Sequence, residues 1–230
     1  MKLPVLISVP HAGLEVPPEM KNICQLSEKE IIEDGDEGAA DIYYPLEKEV
    51  KAFVKTDIAR AIVDMNRTPE DFSKDGVIKT HTCHNIPIYQ KPLAIETAND
   101  LIENYYQPYH RALSSKTRDV RVGLDCHTMA ELGPSVAPDT GKKRPAACVS
   151  NADKTCDISL IQSFAEILQD MLHHEVAINN PFNGGYIIKK HSLEIPWLQI
   201  ELSRAHFLTN VEKSVAFHKT IVKWIVINGI

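Results

Sequence analysis

Two histidines and a carboxylate of this chain lie at or near the carboxyl ends of predicted buried strands, where they are placed for metal chemistry. His11 comes shortly after the apolar run Leu3–Val9, His127 follows Asp125 by two residues, and Glu201 lies near the end of a third apolar run. In open α/β sheets, functional side chains gather beyond the carboxyl ends of the strands, so we expect these residues to approach one another. Two imidazoles and one carboxylate are a usual ligand set of catalytic zinc. Such a site polarises a carbonyl group and lowers the pKa of water, which is hydrolytic chemistry.

Asp125 and His127 are two residues apart on a predicted strand and therefore share one of its faces. From there Asp125 can orient the imidazole or contact the reacting water. The ordinary structural interpretation is a hydrogen-bonded core histidine beside a strand-end carboxylate, and the combination with His11 is what favours a site. Cys126 should point to the opposite face, so we expect a buried core residue and not a nucleophile.

Apolar runs and amphipathic segments alternate along the chain, which predicts a mainly parallel sheet with helices on both faces. The predicted strands are Leu3–Val9, Phe53–Asp57, Ala61–Asp64, Val120–His127, Glu175–Ile178, Tyr186–Ile188 and Trp197–Leu202. Helices are predicted after the capping residues Ser27, Thr97, Asp157 and Thr209, and over residues 37–50. Pro108 should kink the helix that follows Thr97. Residues 1–230 are expected to form one domain, with an irregular insertion over residues 130–145.

The composition disfavours several classes of protein. The 25 basic and 31 acidic residues give a formal charge of −6, which argues against a broad basic face for nucleic acid. No segment approaches the ~20 apolar residues of a membrane-spanning helix, and the short first apolar run, Leu3–Val9, leads us to expect no signal peptide. Five cysteines without a CxxC pair indicate reduced thiols, so we expect a cytoplasmic protein. Phosphate-binding glycine motifs are absent from the sequence, which disfavours a nucleotide enzyme.

Six short blocks of the sequence together carry a family resemblance. They are Ser8-Val9-Pro10-His11-Ala12-Gly13, Asp36-Glu37-Gly38-Ala39, Ile62-Val63-Asp64-Met65-Asn66-Arg67, Asp125-Cys126-His127-Thr128, Asn183-Gly184-Gly185-Tyr186 and Gln199-Ile200-Glu201-Leu202. In this order they resemble the N-formylglutamate amidohydrolase family. The resemblance implies a three-layer α/β sandwich akin to the zinc carboxypeptidases, with a mixed, mainly parallel sheet of about eight strands. It also implies metal-dependent hydrolysis of N-formyl-L-glutamate to formate and glutamate.

By matching position, the resemblance implies that His11, Asp36 and His127 bind the metal, which is expected to be Zn²⁺ or another divalent ion such as Co²⁺ or Mn²⁺. Glu201 matches the carboxylate that acts as general base, taking a proton from water and delivering one to the leaving nitrogen. Asp125 completes the predicted catalytic residues.

The third metal ligand stays open between three acidic residues. In the carboxypeptidase pattern a glutamate lies three residues after the first histidine, and here that position is occupied by Leu14. Asp34 and Glu15 are therefore alternatives to Asp36, which can also be explained as an acidic residue at a helix start.

A small anionic substrate calls for arginine, because a guanidinium binds a carboxylate in two-point geometry. Arg67, with Asn66 beside it, is the predicted clamp, and Arg60 and Arg204 are alternatives or a second clamp. The glycine loop supplies the other predicted substrate contacts, which are Asn183, Gly184 and Tyr186. For Tyr186, a half-buried strand tyrosine is an equal alternative.

Two other functions remain in competition with this hypothesis: a carboxypeptidase-like amidase with a different acyl substrate, and a non-catalytic ligand-binding protein on the same fold. Retention of His11, His127 and Glu201 together argues against a pure binder. His81 and His84 have the spacing of a second metal site, but a loop role is favoured. The oligomeric state stays open, as does the choice between histidine degradation and another pathway.

Overall fold

A six-stranded mixed sheet forms the centre of the computed structural model, which describes residues 2–135 and 137–230. The strands are β1 (Leu3–Val9), β2 (Val50–Lys55), β3 (Val122–Met129), β4 (Ala147–Ser150), β5 (Val176–Ile178) and β6 (Trp197–Ser203). They lie in the order β2-β1-β3-β6-β4-β5. The first four of these run parallel, whereas β4 is antiparallel to β6 and parallel to β5. The predicted mixed, mainly parallel sheet is confirmed, with six strands in the described chain instead of about eight.

Helices cover both faces of this sheet. They are α1 (Glu28–Asp34), α2 (Ala39–Tyr43), α3 (Ile95–Leu101), α4 (Gln107–Ser115), α5 (Ile158–Leu172), α6 (Tyr186–His191) and α7 (Asn210–Asn228). One buried apolar cluster joins the sheet to α2, α5 and α7, and a second joins it to α1, α3, α4 and α6. Because both faces are covered, every residue of β3 and β6 is buried, as expected of parallel strands. The three-layer prediction is confirmed.

Local sequence signals place several helix ends. Ser27 begins α1 and Thr209 begins α7 with reciprocal capping boxes, in which the hydroxyl accepts from the backbone N–H of a glutamate three residues later. Asp157 precedes α5 as predicted, but its side chain makes no capping hydrogen bond. None of the helices in the described part of the chain is long and apolar enough to cross a membrane.

Two predicted strands are wrong, and one strand was missed. Residues Ala61–Asp64 form a tight turn, in which the N–H groups of Ile62 and Val63 both donate to the carbonyl of Ala59. Tyr186–Ile188 begins α6 instead of a strand. Short apolar runs are buried equally well in a turn, helix or strand, so periodicity did not separate them. β4 has only four residues and follows the irregular insertion directly.

Proline shapes the two segments whose helices differ from prediction. The helix expected over residues 37–50 is shortened to α2, because Pro45 falls in a following 3₁₀ turn, Tyr44–Lys48, that leads into β2. The long helical segment from Ile95 to Ser115 contains a π turn, Ile102–Tyr106, just before Pro108. Proline lacks an N–H and crowds the preceding turn, so a wider turn there accommodates the predicted disturbance without ending the segment.

Candidate metal centre and active site

A polar patch lies on one face of the central strands, within an otherwise apolar sheet. Asp125 and His127 on β3 are paired in register with Gln199 and Glu201 on β6. Ser8 on β1 lies beside Asp125 in the same row. Because alternate residues of a strand share a face, these side chains project from the same face of the sheet, in its carboxyl-terminal half. Cys126 lies in the apolar cluster on the other face, as predicted.

His11 and Asp36 reach this patch on two short connections. Pro10 and His11 follow β1, and Asp36 follows Gly35 at the end of α1. The backbone N–H of Asp36 donates to the carbonyl oxygen of His11 over 3.0 Å, which holds the two connections together. Sequence-distant segments therefore meet beyond the end of β1.

Three potential ligand atoms converge at this point. The Nδ1 atom of His127 is 3.0 Å from Oδ2 of Asp36 and 3.2 Å from Nδ1 of His11, and the remaining separation, from His11 to Asp36, is 3.7 Å. Ligands about 2.1 Å from a tetrahedral ion lie about 3.4 Å from one another, so these separations match a divalent-cation site. All three residues are buried, and they are the one such group that the described residues form.

Each imidazole is oriented by a carboxylate on its far side. Nε2 of His11 lies 2.8 Å from Oδ1 of Asp64, and Nε2 of His127 lies 2.9 Å from Oδ2 of Asp125. An N–H at Nε2 donating to the carboxylate leaves the Nδ1 lone pair directed at the common point. Carboxylate-oriented imidazoles of this kind are typical of metal sites. The donor set and its tautomers therefore fit a bound divalent cation.

The charges of the cluster shift its protonation strongly. Burial opposes ionisation of Asp36, but the charges and hydrogen bonds of His11 and His127 outweigh it and hold the pKa of Asp36 well below its usual range. Burial likewise lowers the pKa of His127, but the carboxylates of Asp125 and Glu201 outweigh it and raise that pKa well above its ordinary value. The site concentrates negative charge that favours a cation.

The structure separates Asp36 from its two alternatives. Both carboxylate oxygens of Asp34 lie 2.9 Å from the buried amine of Lys79, and one of them also accepts from the backbone N–H of Cys83. Glu15 is exposed. Only Asp36 of the three lies between His11 and His127.

Asp125 is enclosed by hydrogen-bond donors. Besides His127, it accepts from the hydroxyl of Ser8 over 2.7 Å and from the amide Nδ2 of Asn66 over 3.3 Å. Oδ1 of Asn66 accepts from the backbone N–H of Ile187 over 2.8 Å. Both ends of the Asn66 amide thus bind the protein, although the sequence predicted that this residue contacts substrate.

Glu201 lies beside His127 on the neighbouring strand and is 7% exposed. Its Oε1 atom accepts from Nε2 of Gln199 over 2.9 Å. Burial raises the pKa of Glu201 to about 7, against the opposing charge of His127. A carboxyl group with this pKa can both accept and return a proton near neutral pH.

The three predicted substrate arginines are half-buried around the site, and each has a protein partner. Arg60 donates to Oδ2 of Asp64 over 3.0 Å. Arg67 donates to the backbone carbonyl and carboxylate of Asp75 over 2.7 and 2.6 Å. The remaining guanidinium, of Arg204, donates to the hydroxyl of Thr128 and the carbonyl of Gly35 over 3.2 and 2.9 Å.

The predicted glycine loop approaches the site from the start of α6. Gly184 has a φ of 111°, which a side chain rarely adopts, and a Cβ at Gly185 would collide with the amide of Asn66. Asn183 is exposed and donates to Asp153 over 3.0 Å. Tyr186 is half-buried on a helix, so the strand-tyrosine alternative is wrong.

Sequence reasoning missed Asp64 and Gln199. Asp64 is fully buried between His11 and Arg60, and burial is outweighed by those positive charges, which hold its pKa well below the usual range. A signal existed for both residues. Asp64 precedes Asn66 by two in a family block, and Gln199 precedes Glu201 by two on a predicted strand.

This chain is similar to known proteins over most of its length. The profile described as N-formylglutamate amidohydrolase matches residues 3–208. N-formylglutamate deformylase from Pseudomonas putida is 22% identical over 227 residues, which cover 92% of this chain and 84% of that protein. Its counterpart from Pseudomonas aeruginosa is 20% identical over 223 residues, which cover 90% and 83%.

Solved structures share the fold. The crystal structure of N-formylglutamate amidohydrolase from Ralstonia eutropha superposes with a TM-score of 0.80 at 17% identity, covering 99% of this chain and 94% of the other. A gene product from Agrobacterium tumefaciens superposes with a TM-score of 0.75 at 17% identity, covering 99% and 91%. The architecture of this chain is therefore that of the crystallised amidohydrolase.

Proposed function

The chain belongs to the N-formylglutamate amidohydrolase family, and on this premise we propose that it hydrolyses the formamide bond of N-formyl-L-glutamate or a related N-acyl amino acid. The products of the first reaction are formate and glutamate. One observation carries the proposal: His11, Asp36 and His127 converge within 3.7 Å, with Glu201 on the strand next to His127. A metal-ligand set that can activate water, beside a buried carboxyl group of pKa about 7 that can accept a proton, is what a metal-dependent hydrolase requires.

His11 and His127, through Nδ1, and Asp36, through Oδ2, would hold the metal. Their nitrogen and oxygen donors suit Zn²⁺ first, and Co²⁺ or Mn²⁺ as substitutes. When bound, the ion would polarise the formyl carbonyl and acidify water, so that attack proceeds near neutral pH. Asp64 and Asp125 hold the two imidazoles in the tautomer that this requires.

Glu201 moves the proton in the proposed reaction. Its carboxylate accepts a proton from the water that attacks the formyl carbon. It then delivers that proton to the amine nitrogen of glutamate as the C–N bond breaks. Burial supports both steps, because it destabilises the charged carboxylate and brings its pKa to about 7.

Binding of an anionic substrate needs local positive charge, since the chain as a whole carries −6. Arg67 is the first candidate for the carboxylate clamp. The Arg67 side chain is paired with Asp75 but is 32% exposed, so a substrate carboxylate can compete for its guanidinium. Arg60 and Arg204 are the candidates for a second carboxylate, and Asn183, Gly184 and Tyr186 are proposed to border the substrate.

We also propose that the enzyme works in the reducing environment of the cytoplasm. All five cysteines are free thiols, which supports the expected cytoplasmic enzyme.

Formate release from a panel of N-formyl and N-acetyl amino acids tests the proposal. The protein is first stripped with a chelator and then assayed with and without zinc, cobalt and manganese. We expect N-formyl-L-glutamate to be the best substrate, activity to require metal, and His127→Ala to lose both metal and activity. His84→Ala removes an exposed histidine and is the matched control.

The outcomes separate the competing functions. Turnover of another amide, with N-formyl-L-glutamate inert, would replace the substrate and keep the mechanism. Stoichiometric metal without turnover of any amide would favour a ligand-binding protein. Failure to bind any of the three metals would reject the proposed chemistry itself.

A further inference from the structure

Gln199 connects the carboxyl group of Glu201 to the glycine loop. Its Oε1 atom accepts from the backbone N–H of Gly185 over 2.6 Å, and its Nε2 atom donates to Oε1 of Glu201 over 2.9 Å. The side chain is 4% exposed and shares the face of β6 with Glu201. One buried amide therefore spans the gap between loop and carboxylate.

The orientation of this amide is determined by its partners. The N–H of Gly185 can only donate, so the amide oxygen must face the loop and the NH₂ group must face Glu201. Among the described residues, Gln199 is the one hydrogen-bond donor to the Glu201 carboxylate. It binds Oε1, which leaves Oε2 to take up the proton. The NH₂ donor can keep its bond whether Glu201 is charged or protonated at Oε2.

Asn66 forms a second bridge of the same kind. Its Oδ1 atom accepts from the N–H of Ile187, two residues beyond Gly185, and its Nδ2 atom donates to Asp125. Two buried amides thus tie the start of α6 to two carboxylates of the site. The repetition on separate elements indicates that the loop and the carboxylates are held in one arrangement.

We propose that Gln199 is a positioning residue of the reaction: it orients the Glu201 carboxylate for proton transfer through Oε2 and ties it to the loop at Gly185. This inference rests on the proposed function, in which Glu201 is the general base. Gln199 itself touches no reacting atom.

Two substitutions separate the two ends of the amide. Gln199→Glu keeps an oxygen for the N–H of Gly185 but replaces the permanent NH₂ donor by a second carboxyl group, which at this distance must compete with Glu201 for one proton. Gln199→Met removes both hydrogen bonds at similar length. Gln162→Glu makes the same charge change at an exposed position of α5 and is the control.

We expect Gln199→Glu to lower kcat about 10- to 100-fold, a share of what a positioned general base contributes, while KM changes less than about threefold. The acid limb of its kcat–pH profile should move to higher pH, because the added charge disfavours the Glu201 carboxylate. Gln199→Met should lower kcat similarly and also raise KM, since the loop loses its tie. The control should match the wild type in all three measurements.

The assay uses metal-loaded protein and whichever amide the wild type turns over best, so a wrong substrate does not obscure the result. Crystal structures of the wild type and of Gln199→Met provide a second measurement, independent of turnover. A folded, metal-loaded Gln199→Glu enzyme with kcat and pH profile within twofold of the wild type would overturn the proposal. So would an unchanged Glu201 side-chain conformation in the Gln199→Met crystal. If the wild type hydrolyses no amide, the proposed function fails, whereas a displaced Glu201 in that crystal still supports the positioning contact.

Discussion

Replacing Asp125 by asparagine should separate the charge of this carboxylate from its hydrogen bonds. In the Asp125→Asn variant the new side chain can turn its oxygen toward Nε2 of His127 and the amide of Asn66, where Oδ2 of Asp125 now lies. Its NH₂ group would then face the hydroxyl of Ser8, which can accept while donating to Tyr109. The number of hydrogen bonds is preserved and only the negative charge is lost.

The expected magnitude follows from these contacts. Mutating the carboxylate that orients a metal-ligating imidazole typically weakens metal binding about 10- to 100-fold, and we expect Asp125→Asn to weaken zinc binding by this factor, which equals about 1.4–2.7 kcal/mol. Asp125→Ala goes further, because it leaves the buried donors of His127 and Asn66 without an acceptor. At about 1–3 kcal/mol for each donor, the free energy of unfolding should fall by about 2–6 kcal/mol. Asp125→Asn should lose far less stability.

Zinc affinity is measured by competition with a chromophoric chelator near neutral pH, and stability by urea unfolding of the metal-free protein. Asp100→Asn makes the same change at an exposed aspartate and should match the wild type. An Asp125→Asn protein that binds zinc as tightly as the wild type would refute the argument that this charge tunes His127. Equal stability of the alanine and asparagine variants would refute the hydrogen-bond accounting.

Three further perturbations probe separate parts of the molecule. Burial, with help from the neighbouring His191, lowers the pKa of His110 to about 3, against 6.5 in the unfolded chain, so the fold loses stability as the pH falls below 6.5. Between pH 7.5 and about pH 5, the free energy of unfolding in urea should fall by about 2 kcal/mol more for the wild type than for His110→Gln. Equal losses in the two proteins would contradict this. Arg67→Lys should raise KM for the anionic substrate about 10-fold with little change in kcat, because lysine cannot bind a carboxylate at two points. Arg111→Lys, at an exposed position, should leave both constants unchanged. An effect on kcat alone would reject Arg67 as the carboxylate clamp. Gly185→Ala should lower the midpoint of thermal unfolding and the activity together, because its Cβ would collide with the Asn66 amide at a cost of about 1–3 kcal/mol in stability. Wild-type values of both would show that the loop moves away without this cost.

The residues of the site were predictable to different depths. His11 follows one apolar run, and His127 and Glu201 lie near the ends of two others. The rule that the ends of parallel strands gather at one edge was sufficient to bring them together. The exclusion of Cys126 followed from strand alternation alone and agrees with its place in the opposite cluster. These inferences need only the local pattern and the parallel architecture.

Other assignments depended on contacts between distant segments. Asn66 stays a predicted substrate contact, but the sequence did not show that its amide binds Ile187 and Asp125, which are 121 and 59 residues away in sequence. Asp64 was missed because its partner, His11, lies 53 residues earlier. No periodicity records which polar groups of remote loops will meet.

The sequence by itself determined the class of sheet, the capping boxes at Ser27 and Thr209, and the two histidines of the candidate metal centre, because each follows from short-range periodicity or from a family block. Only the tertiary structure decided between Asp34 and Asp36. The two carboxylates are neighbours in one connection, and burial requires each to find a partner. Lys79 takes the first, 45 residues away, and His11 and His127 enclose the second. Which carboxylate is available as a candidate ligand was therefore decided by the pairing of buried charges across the fold.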